Sequence, residues 1–226
     1  MHLLVKFPTR QRQKRFFEVF ASYMQLASNR HHIEWVISMD EDDLEMNNPE
    51  VKETFDKLIA MGQDIKYFYG PNKTKIEAMN ADMDKASSEW EVLYLAQDDM
   101  LPIVQDWDER MLNLVFGNFP DLDGCIWPPD GYGNSPTTST VVLMGRQWYE
   151  RFQYIYYPEY KSVYCDNEYT DVALSYDKIR KVPDRLVEHK WVGTNGRDAL
   201  CDRNESTVNY EHDRQLFLQR TLAGFP

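Results

Sequence analysis

The sequence predicts an α/β protein built on an open, mostly parallel sheet with helices on both faces, and three observations carry that expectation. Short apolar runs at residues 2–7, 33–39, 64–69 and 90–96 have the length and bulk of buried strands. Segments with apolar residues at helical spacing lie between them, and strand–helix alternation is the signature of a parallel sheet with crossover helices. The rhythm then changes after Asp106, where shorter runs and a Pro/Gly/Ser-rich stretch at 128–139 interrupt it.

The elements follow in order. HLLVKF at 2–7 ends at Pro8, which removes a backbone donor and closes the strand. Residues 10–28 carry Phe16, Phe17, Val19, Phe20, Tyr23, Met24 and Ala27 on one helical face. Arg10, Arg12, Lys14 and Arg15 crowd the N-terminal end of that helix, where positive charge opposes the helix dipole. A bound anion would explain the crowding; an ordinary solvated basic turn is the alternative. IEWVISM at 33–39 runs into Asp40-Glu41-Asp42-Asp43, residues 49–61 read as a helix, and DIKYFY at 64–69 closes on Gly70-Pro71. Residues 75–85 are helical, and WEVLYLA at 90–96 is the most apolar strand, leading directly into Gln97-Asp98-Asp99. Later, 107–116, 145–152 and 166–179 read as helices and 125–128, 140–144 and 181–187 as strands, before a polar tail without a clear pattern.

The 226 residues suit one α/β domain with a short C-terminal extension: 1–192, divided into halves at 1–105 and 106–192, then a tail from 193 to 226. A formal charge of −12 speaks against a nucleic-acid-binding module, which carries a basic face. No window approaches the ~20 apolar residues of a membrane span, and no signal-peptide pattern follows the first charges. Three scattered cysteines, Cys125, Cys165 and Cys201, fit neither a disulfide framework nor a zinc cluster, so the expectation is a cytoplasmic protein with reduced thiols.

Ligands of open parallel sheets bind beyond the carboxyl ends of the strands. Three strands deliver suggestive groups there: Pro8-Thr9-Arg10, Asp40, and Asp98-Asp99. Two adjacent carboxylates on a buried strand end repel each other and lose solvation, and Mg²⁺ or Mn²⁺ would compensate them. Adjacent aspartates in an arbitrary context usually cap a helix or face water. Between an apolar strand and Met100-Leu101-Pro102, metal binding is the favoured reading.

The stretch Leu93-Tyr94-Leu95-Ala96-Gln97-Asp98-Asp99-Met100-Leu101-Pro102 resembles the metal-binding strand motif of family 2 glycosyltransferases and their GT-A relatives. The resemblance implies a GT-A fold and Mn²⁺ or Mg²⁺ at Asp99, with Asp98 on metal or ribose. Gln97 stands where many members carry a further acid, and would hydrogen-bond sugar or ribose. It further implies that Pro8, Thr9 and Arg10 hold the base, with Arg10 able to meet phosphate, and that Asp40 contacts base or ribose. Lys75-Ile76-Glu77-Ala78-Met79-Asn80 is similar to a segment packed near the nucleotide sugar, with Lys75 on the diphosphate. Tyr164-Cys165-Asp166-Asn167-Glu168-Tyr169 resembles the acidic acceptor-side motif, which makes Asp166 or Glu168 the catalytic base. The competing reading is a helix cap and a first-turn acid. His189 occupies the place of an additional metal ligand.

These expectations describe a hexosyl- or pentosyltransferase that moves sugar from a nucleoside diphosphate sugar, UDP favoured, to a hydroxyl acceptor, with inversion. A modified nucleic-acid base is among the acceptors it would allow. The tail at 193–214 would act as a lid or be a plain disordered tail, and Trp127 and Tyr132 would shape the acceptor pocket. A nucleotidyltransferase would want a glycine-rich loop after the first strand, which Pro8-Thr9-Arg10-Gln11 does not supply. A non-catalytic sugar-nucleotide or carbohydrate binder is the alternative from another class.

Overall fold

The computed structural model describes residues 1–131, 137–190 and 196–226. Its central sheet is ordered β3-β2-β1-β4-β7-β6-β8. The first half supplies β1 (His2–Pro8), β2 (His32–Asp40), β3 (Asp64–Gly70) and β4 (Val92–Leu95), all parallel. The later half adds β7 (Leu143–Gly145), antiparallel to both β4 and β6 (Cys125–Trp127), and β8 (Ile179–Lys181), parallel to β6. One sheet therefore runs through both halves.

Alternation along β1 sorts its side chains between two cores. Leu3, Val5 and Phe7 join Phe16, Phe20 and Tyr23 of α1 (Gln13–Leu26), Phe55 of α2 (Pro49–Ala60) and Trp107 and Met111 of α4 (Trp107–Asn118). Leu4 faces the opposite core, with Ile76 and Met79 of α3 (Lys75–Asn80), Trp148 of α5 (Arg146–Phe152) and Tyr169 and Val172 of α6 (Cys165–Ser175). Each such side chain contributes roughly 1.5–3 kcal/mol by leaving water. Lys6 is a buried exception. It donates to Ser38 Oγ, which donates to Asp82 Oδ2 at 2.5 Å, and burial pulls its ammonium down to about 7.

Several elements differ from the sequence-based expectation. The helix expected from residue 10 begins at Gln13, because Gln11 turns through a positive φ of 54° and Arg12, at φ −144° and ψ 44°, is the non-helical N-cap. The helix expected over 75–85 stops at Asn80; Asp82 adopts φ 60° and only a short 3₁₀ turn, Met83–Lys85, follows. No strand fills 181–187: β8 ends at Lys181 and β9 (Val187–His189) pairs antiparallel with β5 (Met100–Pro102) in a separate ribbon. The polar tail folds into α7 (Ala199–Asn204) and α8 (Thr207–Ala223), each capped by a side chain, Asp198 to Cys201 N and Ser206 to Asn209 N. Of the expected loop and lid, residues 132–136, with Tyr132, and 191–195 lie outside the described residues. Among the described residues no helix is long and apolar enough to cross a membrane.

Candidate functional site

The strand order reverses at β1, which has β2 on one side and β4 on the other. At such a switch point the loops leaving neighbouring strands splay apart and open a crevice. A cavity of about 520 Å³ lies there, and its walls include Pro8, Thr9, Arg10, Asp40, Lys75, Gln97, Asp98, Asp99, Asp166 and His189. Glu168 is not among them.

The β1 loop is pinned to β2. Thr9 N donates to Ser38 O at 3.0 Å and Gln11 N to the buried Asp43 Oδ2 at 2.8 Å. The Arg10 guanidinium donates to Asp40 Oδ2 and to Asp42 Oδ1, both at 2.5 Å. Burial pushes the Asp40 carboxyl up, against these Arg10 bonds. Arg12 bridges three elements: it donates to Asp98 Oδ1 at 2.8 Å and, through two nitrogens, to Asp198 at 2.8 and 3.0 Å. Arg15 donates to Lys190 O at 3.2 Å. The anions that meet the basic end of α1 are thus, for Arg10 and Arg12, the protein's own carboxylates.

Asp98 and Asp99 leave β4 into different environments. Burial lifts Asp98 to about 6 even though Arg12 opposes it. For Asp99 burial works upward too, but the His189 hydrogen bond and the charges of His189, Lys75 and Arg15 outweigh it, and the acid stays below its ordinary range. The β5–β9 ribbon makes this possible. Met100 pairs with His189, and Lys190 N donates to Asp99 O at 2.6 Å, which brings His189 Nε2 to 3.5 Å from Asp99 Oδ2. His189 Nδ1 lies 3.3 Å from Asp130 Oδ2. Burial lowers the imidazole, yet the bonds to Asp130 and Asp99 prevail and raise it to about 9. Asp99 Oδ1 is buried and has no hydrogen-bond partner among the described residues.

Lys75 is the first residue of α3, a helix held by a capping box between Thr74 and Glu77. Its charge acts on both Asp99 and Asp166. Asp166 stands in the first turn of α6, where burial raises its pKa against the pull of Lys75. Glu168 points elsewhere: it takes Arg220 Nε and Nη2, both at 2.8 Å, and Tyr160 Oη at 2.8 Å, and is 4 % exposed. It ties α8 to α6.

The C-terminal helices complete the cavity with residues that sequence reasoning did not single out, among them Leu200, Cys201, Arg203 and Tyr210. Arg203 donates to Lys73 O at 2.9 Å, and Asp213, fully buried, anchors α8 by accepting the backbone N–H groups of Lys161, Ser162 and Val163. The caps Asp198 and Ser206 and the closing Gly224 were visible helix signals. No local pattern marks which cavity α7 and α8 cover.

No protein-family model and no curated protein sequence matches the chain. Solved structures do. A mannosyltransferase from Pyrobaculum calidifontis, in complex with GDP-Man and Mn²⁺, aligns with a TM-score of 0.57 at 10 % identity over 81 % of this chain and 54 % of that one. TarS from S. aureus aligns with a TM-score of 0.66 at 12 % identity over 98 % of this chain and 40 % of that one. A Drosophila β1,4-galactosyltransferase 7 mutant, solved with manganese, UDP-Gal and xylobiose, gives 0.57 at 10 % identity, covering 94 % and 79 %. This chain spans about half the length of the first two. The likeness is one of architecture: the chain has the GT-A glycosyltransferase fold.

Proposed function

We propose that the protein transfers a sugar from a nucleoside diphosphate sugar to a hydroxyl acceptor, with a divalent metal held by Asp99 and His189. The observation that carries this is Asp99 itself, a partly buried carboxylate whose Oδ1 has no hydrogen-bond partner among the described residues, beside an imidazole at the sheet's switch point. The carboxylate oxygen and the His189 nitrogen, once the ion displaces its proton, would suit Mn²⁺, and carboxylate with phosphate oxygens suits Mg²⁺. Among the described residues no group of three or more such side chains forms a metal cage, so diphosphate and water oxygens would fill the remaining positions. The ion would supply charge neutralisation on the leaving diphosphate.

The chain's own residues do the rest. Pro8, Thr9 and Asp40 line the base end of the cavity, and Arg10 holds the Asp40 carboxylate in place. Arg12 orients Asp98 toward the ribose side, and Gln97 faces the sugar or ribose with a neutral amide. Lys75, at the N-terminus of α3, neutralises diphosphate charge as it develops. Asp166 takes the proton of the acceptor hydroxyl as oxygen attacks the anomeric carbon, with inversion. Burial makes it a stronger base than a solvated aspartate. Glu168 serves the fold and not the chemistry.

Similar structures that hold UDP-GlcNAc, UDP-Gal or GDP-Man support a sugar nucleotide as donor, and those with manganese support the metal. Calorimetric titration with UDP and GDP, with Mn²⁺ and with chelator, tests the reading in the wild type and Asp99→Ala. Metal-dependent binding of one nucleotide, lost in the variant, is expected. No binding of either to the folded wild type would refute it.

A further inference from the structure

Across the cavity from the nucleotide side, the wall changes character. The cationic groups gather at the β1 and β3 loops: Arg10, Arg12, Lys73 and Lys75, with Arg203 bonded to Lys73 O. Around Asp166 the wall is aromatic instead, with Tyr156, Tyr164 and Tyr210. Tyr164, two residues before Asp166, holds φ 62°, ψ −9°. A bulky aromatic in the left-handed region costs free energy and persists only where its surroundings over-determine it. Here Phe217 of α8 stacks on the ring (5.5 Å, 27°), and the Tyr164 hydroxyl bonds that of Tyr210 at 2.9 Å. Tyr210 sits edge-on to Tyr164, at 5.5 Å and 62°, and is 47 % exposed, which leaves it the more open ring of the pair.

We propose that Tyr210 and Tyr164 form the acceptor platform and that the acceptor is an uncharged sugar ring, laid by its C–H face on Tyr210 with one hydroxyl at Asp166. This rests on the transfer reading above. Aromatic faces pack against the apolar face of a pyranose, and the two tyrosine hydroxyls supply polar contacts at its rim. Charge selects against a phosphate-bearing acceptor such as a nucleic acid. Arg214 is paired with Glu211 at 2.8 and 2.9 Å, and Arg197 with Asp202 and Glu205 at 2.8 and 2.9 Å. The proposed base is itself an acid, and the chain carries −12 overall. A polyanion would meet repulsion from Asp166 and from the chain's overall charge.

The test is saturation-transfer NMR on the whole protein with UDP and Mn²⁺ present, using cellobiose, lactose and maltose as sugar probes and a single-stranded oligothymidylate as the competing class. At least one disaccharide should show saturation at its C–H protons. Tyr210→Ala should weaken that binding about tenfold, and Tyr210→Phe, which keeps the ring, should restore it to within threefold of wild type. UDP bound with no disaccharide bound, preferential binding of the oligonucleotide, or sugar affinity unchanged in Tyr210→Ala would each overturn the proposal. Absence of nucleotide binding, read separately by calorimetry, would overturn the donor reading and this proposal with it.

Discussion

Asp213→Asn removes one charge from the interior and should cost about 3 kcal/mol. The Asp213 carboxylate is fully buried, and its Oδ2 accepts from Ser162 N at 2.8 Å and Val163 N at 2.9 Å. Its Oδ1 accepts from Lys161 N at 2.8 Å and lies 2.9 Å from His212 Nδ1. An asparagine that keeps its oxygen toward Ser162 and Val163 turns its amide nitrogen toward Lys161 N–H, donor against donor. The unsatisfied donor costs roughly 1–3 kcal/mol, and each remaining bond weakens by about 0.5–1 kcal/mol on losing its charge. For a chain of this length, 3 kcal/mol corresponds to a fall in Tm of about 6–12 °C. Thermal and urea unfolding measure the loss. Limited proteolysis should show α8 cut earlier than in the wild type, since this anchor docks it against residues 161–163. A change below about 1 kcal/mol, with α8 equally protected, would refute the view that this carboxylate holds the C-terminal wall.

Asp166→Asn should lower kcat by about 10²–10⁴ with Tm nearly unchanged, whereas Glu168→Gln should lower Tm and leave kcat within a few-fold; kinetics and melting on the same samples separate base from brace. Asp123 is held at about 2, chiefly by Arg151 and further by Lys178, against burial. Its folded pKa lies below its unfolded one, so this stabilisation is present above pH 4 and lost as pH falls toward 2. Asp123→Asn should therefore cost about 1–2 kcal/mol in urea unfolding at pH 7, after discount for partial exposure, and almost nothing at pH 2. Lys6 has the same sign of pH dependence in a higher window, but here burial disfavours the charged form. Burial lowers it from 10.5 to about 7, the unfolded chain binds more protons between those values, and stability should rise from pH 7 to pH 9. Lys6→Met should abolish that rise and melt no lower than the wild type at pH 7, since replacing a buried charge by an apolar side chain of similar volume is often neutral or stabilising.

Much of the first half was written locally. Four apolar runs with helical segments between them dictate β1 to β4 and their parallel order, because a strand followed by an amphipathic helix can bury both only by crossing back over the sheet. The same locality places Pro8, Thr9, Arg10, Asp40, Asp98 and Asp99 at one sheet edge, since each ends a strand or lies in the turn leaving one. Lys75 and Asp166 were legible for a similar reason, each opening a helix. Short pieces were not. β5, β8 and β9 have three residues each, too few for a period to show, and exist only through their partners. That is why 181–187 misled and why the pairing of His189 with Met100, which brings the imidazole to Asp99, is a fact of tertiary structure alone.

Charge pairing was equally invisible. Nothing near Arg12 says that it will reach Asp98 at a separation of 86 residues and Asp198 at 186. Asp166 and Glu168, two residues apart on one helix, look equivalent as a sequence. A helix turns about 200° over two residues, so they face nearly opposite ways, one into the cavity and one toward Arg220 of α8. Local pattern determined which residues of the first half stand at the cavity edge. What each of them faces, and that the C-terminal helices close the other side, was decided only when distant segments packed, because a charge or ring chooses its partner across space and not along the chain.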